Sequence, residues 1–86
     1  MTDTPALPSV HLDCWTKEYW TTTTRYYVAE IMQDLWGTWV LRRSWGGLDS
    51  HRGSSKIIAA KDYDHALKLL EEVAKQRKAR HYTRIP

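Results

Sequence analysis

Only one stretch of this 86-residue chain carries a helical apolar repeat, and that limits what the rest can be. Ala66, Leu67, Leu70, Val73 and Ala74 recur at spacings of one, three and four, with Lys68, Glu71, Glu72 and Lys75 between them. Asp62 stands where an N-cap belongs, and Asp64 complements the positive end of a helix. Glu71 and Lys75 form an i,i+4 pair in the favourable order. Lys75, Arg77, Lys78 and Arg80 crowd the far end, where cations are favoured, and read as a solvated helix end. One amphipathic helix cannot bury its stripe against itself. Its partner must come from upstream residues, where apolar positions alternate with a period of two.

That alternation is clear in Arg25–Met32, where Tyr27, Ala29 and Ile31 share one face, and in Thr38–Trp45, where Trp39, Leu41, Arg43 and Trp45 do. The turn signal Gln33–Gly37 joins the two as a hairpin. Ser54–Ala60 reads as a further strand and Val10–Trp15 as a short one, with the threonine run Thr21–Thr24 leading into the hairpin. Gly46–Gly53 is expected to be a loop whose three glycines permit positive φ and close backbone approach. The expected fold is α+β: an antiparallel sheet of about four strands packed against one C-terminal α-helix. Met1–Ser9 reads as a disordered tail, and residues 10–86 as the single domain. Five Trp and five Tyr supply large core residues; Trp15, Tyr19 and Trp20 are read as packing residues.

The chemistry present is narrow. Cys14 is the single cysteine, so no intrachain disulfide can form, and it reads as an inert thiol. No two of His11, His51, His65 and His81 stand four apart, so no metal is expected. The glycines lack the GK[ST] ending of a phosphate loop. No secretory leader and no membrane-spanning run is read in the chain. These features predict a cytoplasmic module with no cofactor and no enzymatic activity. The positive charge is unevenly spread. Residues 1–24 hold one lysine against three acids, residues 25–61 six bases against three acids, and residues 62–86 six against four. A centre and C-terminal end of this sign suit an anionic partner.

Arg42-Arg43-Ser44-Trp45-Gly46-Gly47-Leu48 and its surroundings resemble the WGR domain, named for a Trp-Gly-Arg motif, which occurs in DNA-dependent poly(ADP-ribose) polymerases and in short bacterial proteins. Arg25-Tyr26-Tyr27 is similar to the family's Arg-aromatic-Tyr strand start, and Leu35-Trp36-Gly37-Thr38-Trp39 to a bacterial Leu-Phe-Gly-x-Trp turn. Gly53-Ser54-Ser55-Lys56 and the basic stretch Lys75–Tyr82 follow in the family's order. The resemblance covers Leu12–Tyr82 and departs at two places. The motif arginine is Gly47, and a second family glycine is Asp49.

The resemblance implies a DNA-binding module, in a bacterial chain one associated with the nucleoid. It also implies that Trp45 packs on sugar at a DNA end. The role of the motif arginine cannot be carried over to Gly47. Arg43 on the Trp45 face, with Arg52 and Lys56 flanking the loop, are the residues expected to supply phosphate contacts. Arg42 falls on the opposite face. No recognition helix is visible, so low sequence preference on double-stranded DNA is expected, with single-stranded nucleic acid as a close variant. The competing expectation is a protein-docking module that uses an aromatic surface of Trp36 and Trp45, because Trp and Tyr are enriched in interface hot spots.

Overall fold

The computed structural model describes residues 14–50 and 52–86. The tail read at Met1–Ser9, and Val10–Asp13 of the first expected strand, lie outside them. The elements run β1 (Thr16–Thr21), β2 (Arg25–Gln33), β3 (Trp39–Gly47), β4 (Gly53–Ala59), α1 (Tyr63–Ala79) and β5 (Thr83–Ile85). The strands form one antiparallel sheet in the order β4-β3-β2-β1-β5. The architecture is the α+β arrangement expected, with five strands rather than about four. The helix leaves the β4 edge, crosses one face, and delivers β5 to the opposite edge beside β1.

The first described strand is Thr16–Thr21, and Cys14 and Trp15, the described residues of the expected Val10–Trp15 strand, lie outside any strand. The threonine run does not extend β2. Thr22 turns the chain instead: its N–H donates to the Arg25 carbonyl at 2.8 Å, and its Oγ1 accepts from the Arg25 N–H at 3.0 Å. A hydroxyl that can replace a backbone partner favours a turn over a ladder here. The β2–β3 turn is held from one side chain. Asp34 Oδ1 accepts from the N–H groups of Trp36 and Thr38, both at 2.9 Å, and Gly37 takes φ 80. Left-handed backbone of this kind is open to glycine without a Cβ clash.

The helix face of the sheet presents Trp20, Tyr27, Ala29, Ile31 and Leu41, and α1 answers with Ala66, Leu70 and Val73. Ile31 and Leu41 pair in register and are the largest fully buried side chains. Leu70 and Val73 each contribute roughly 1.5–3 kcal/mol by leaving water. Leu67 is half-buried at the margin of this core. The helix starts as expected: Asp62 accepts from the His65 N–H at 2.8 Å. Trp39 meets Tyr63 with ring centroids 4.8 Å apart, and the Ala60 N–H donates to the Trp39 carbonyl, which fixes where α1 enters.

The other sheet face carries no helix. There Tyr19 stacks on Tyr26, and Tyr26 explains two glycines. A Cβ on Gly53 would lie 2.7 Å from the Tyr26 hydroxyl, and one on Gly46 would lie 3.0 Å from both the Tyr26 ring and the Arg52 carbonyl. Both glycines sit in paired strands, so the expected loop shrinks to Leu48–Arg52. Among the described glycines only Gly37 takes positive φ. Gly46 and Gly53 are needed for close approach, not for backbone freedom.

Candidate functional site

The β2–β3 ladder ends with Arg25 opposite Gly47 and Tyr27 opposite Trp45. At this end the helix terminates. Its last turn closes with the Tyr82 N–H on the Arg77 carbonyl at 2.9 Å and the His81 N–H on the Lys78 carbonyl at 3.0 Å. This Schellman pattern places His81 at φ 64. It also swings Tyr82 back over the sheet, where its ring meets Tyr27 edge-on with centroids 6.3 Å apart. Tyr27 stacks in turn on Trp45, with centroids 5.9 Å apart and planes 13° from parallel.

An open hollow of about 510 Å³ lies between these rings and the helix end. Tyr27, Trp45 and Tyr82 supply its aromatic walls, and Arg25, Arg43, Arg77 and Arg80 its charge. Thr22 completes the lining, which includes no carboxylate among the described residues. A smaller hollow of about 320 Å³ opens beside it toward the loop, sharing Arg25, Trp45 and Tyr82 and adding Thr24, Gly46 and Gly47.

Arg77 is the least expected member. It is 9% exposed, and its guanidinium carbon lies 4.0 Å from the Tyr27 ring centroid and 4.9 Å from that of Tyr82. Its Nε is buried without a hydrogen-bond partner, as is that of Arg43. Among the described residues the only ion pair is Arg84 with Glu18, on β5 and β1. Cation–π contacts return about 0.5–2 kcal/mol each. Withdrawing a charge from water costs several kcal/mol. Arg77 is thus held by ring contacts rather than by a carboxylate, while Arg25 and Arg80 are exposed and Arg43 is half-buried. The helical period reaches position 77 directly, since 66, 70, 73 and 77 are one stripe. The residue type conceals it. The reading of residues 75–80 as a solvated end is corrected: Arg77 is buried, and Arg77 and Arg80 face the hollow. Arg25 joins them from the start of β2; the family's Arg-aromatic-Tyr pattern marks its position, but not its place in the hollow.

The other candidate residues fall in different places. Arg43 and Trp45 share the helix face and the hollow. Lys56 stands directly across from Arg43 on β4, exposed and outside the lining. Two like charges so placed oppose each other. Arg52 is exposed at the end of the loop, and its N–H donates to Ser50 Oγ. Trp36 is 78% exposed at the β2–β3 turn, and Trp45 sits near the far end of β3. They are separated by roughly 20 Å or more at strand rise, and Trp45 lines the hollow while Trp36 does not.

Among the described residues no group of three His, Cys, Asp or Glu side chains is placed to hold a metal ion, and no helix is long and apolar enough to cross a membrane. No curated protein and no solved structure gives a significant match. The family comparison does: residues 14–86, including every described element from β1 to β5, match the WGR domain, and with most of its length covered the chain belongs to the WGR domain family.

Proposed function

We propose that this domain is a non-enzymatic nucleic-acid-binding module, and that its ligand is double-stranded DNA, gripped at or near an end through sugar and phosphate with little sequence preference. The observation that carries this reading is the hollow itself: four arginines, three aromatic rings and, among the described residues, no carboxylate at one end of the sheet. Guanidinium groups match phosphate geometry, and a half-buried indole beside them offers a face to a sugar or exposed base. Low sequence preference follows from the helix. Its inner stripe is spent on the sheet, and its outer face mixes Lys68 and Lys75 with Glu71 and Glu72, which suits neither phosphates nor a groove. The setting we propose is the cytoplasm, where a cysteine such as Cys14 stays reduced.

The test is a titration of labelled blunt duplex at several salt concentrations. Three to five phosphate contacts give a log–log slope of about −3 to −4.5. Arg25→Ala removes an exposed charge that lines both hollows, and is expected to lower the slope by about 0.9 while the fold stays intact. Lys68→Ala with Lys75→Ala is the control and should leave the slope unchanged. No binding at low salt and high micromolar protein rejects the reading.

A second reading has its own observation. Leu35 and Trp36 are 85% and 78% exposed on a turn held by Asp34, which is the form of a protein-docking anchor. It predicts partner binding that survives Arg25→Ala.

A further inference from the structure

The hollow between β3 and the end of α1 is small enough to take one group of a nucleic acid at a time. Its volume of about 510 Å³ is that of a site for a single small-molecule-sized group. Two of its guanidinium groups, on Arg43 and Arg77, each carry a buried Nε with no partner. Arg77 is nine-tenths buried and lines the hollow, so the hollow is where its charge is open to a ligand. The walls are Tyr27, Trp45 and Tyr82, and aromatic rings beside a positively charged groove are what unpaired strands bind. Trp45 and Tyr82 also border the loop-side hollow. A strand lying over Trp45 can therefore pass from one hollow to the other without leaving the protein.

We propose that this hollow seats the backbone phosphate of an unpaired nucleotide, with Arg43 and Arg77 as its ligands, so that the domain prefers duplex carrying a single-stranded extension to blunt duplex. The inference rests on the nucleic-acid reading above and adds a strand state to it. A phosphate bound there lies against two guanidinium groups that make no ion pair among the described residues, and it relieves the repulsion between Arg43 and Lys56 across the β3–β4 pair.

The experiment compares one labelled duplex in blunt form, with a short extension on either strand, and as the free single strand, all without terminal phosphates. The intact domain is expected to bind the extended forms several-fold tighter than the blunt form. Arg77→Met keeps the volume and removes the charge; Arg43→Gln removes charge at a less buried position. Each is expected to erase the preference and to lower the salt slope on the single strand by about 0.7, the value of one phosphate interaction. Arg77→Met is also expected to melt at or above the temperature of the unaltered domain, which a purely structural arginine would not do. Inorganic phosphate, compared with chloride at equal ionic strength, should raise the melting temperature of the unaltered domain more than that of either variant. If Arg77→Met does not fold, Arg43→Gln decides alone. Equal affinity for blunt and extended duplex, or a preference that survives both substitutions, overturns the inference and leaves the duplex reading standing. Failure to bind any of the four probes overturns both.

Discussion

At φ 64 the backbone of His81 stands where a Cβ is crowded, yet the helix must end there for Tyr82 to reach the sheet. Left-handed backbone costs a residue with a side chain roughly 1–2 kcal/mol, and glycine avoids this while losing about 0.5–1 kcal/mol in chain entropy. His81→Gly is therefore expected to stabilise the domain by about 0.5–1 kcal/mol. That is a rise of about 2–8 °C in Tm for a chain of this size, with nucleic-acid affinity unchanged; thermal melting checks it. Gly47 poses the opposite question. A Cβ there would meet Ser50 at 3.4 Å and the Thr24 carbonyl at 3.8 Å, both ordinary contacts, and the residue lines the loop-side hollow. Gly47→Arg, which restores the family's motif, is expected to fold and to steepen the salt slope on duplex by about 0.9. An unchanged slope would show that the hollow has no further phosphate within reach of this position. Trp45 and Arg43 are legible in the sequence because period two puts them on one face. Arg77 is hidden by its charge, and the need for Gly46 and Gly53 by Tyr26, a residue distant from both in sequence.

Among the elements, α1 is both the most legible and the most dependent on its first residue. Asp62 accepts from the His65 N–H, while His65 Nδ1 accepts from the Lys61 N–H at 3.0 Å, so each side chain satisfies a donor near the helix start. Asp62→Ala is expected to cost about 1 kcal/mol, within the usual range for removal of an N-cap; a denaturant melt with an unchanged m-value checks that the loss is in stability alone. The strands β2 and β3 are readable because apolar residues alternate on their helix faces, Tyr27, Ala29 and Ile31 buried on one and Trp39, Leu41 and Trp45 buried or half-buried on the other. β1 is not. Of its helix-face residues Thr16, Glu18 and Trp20, only Trp20 is a buried apolar residue, so the two-residue period has nothing to repeat. β5 is three residues long and exposed throughout, held by pairing with Tyr19, Trp20 and Thr21 rather than by burial. Pairing of this kind leaves no hydropathy pattern.

Across the whole molecule, two features stand at opposite ends of the sheet. The arginine hollow lies at the Arg25–Gly47 end of the central hairpin, and Leu35 with Trp36 at its turn. The nine residues of β2 separate them by roughly 30 Å. A partner at the turn and a nucleic acid at the hollow would not collide. The double substitution Leu35→Ser with Trp36→Ser is expected to leave both fold and nucleic-acid affinity unchanged while abolishing any partner binding at the turn. A loss of nucleic-acid affinity in that variant, with the melt unaltered, would show that the turn belongs to the same footprint.

The outer edge of β4 has its own consequence for work with this protein in solution. Its backbone groups on that side pair with no strand among the described residues, and Ile57 is 63% exposed along it. Lys56 stands in the middle of this edge, and a lysine in such a place keeps a second chain from docking strand to strand. Removing its charge to test nucleic-acid binding therefore removes a barrier to self-association as well. Lys56→Ala is expected to form concentration-dependent oligomers visible by light scattering, and Lys56→Glu to stay monomeric. A fall in apparent affinity for the alanine variant would then reflect protein withdrawn into oligomers as much as any missing grip on phosphate. The glutamate variant keeps the edge charged but sets a carboxylate opposite Arg43, so it controls for self-association and does not by itself report on phosphate contacts.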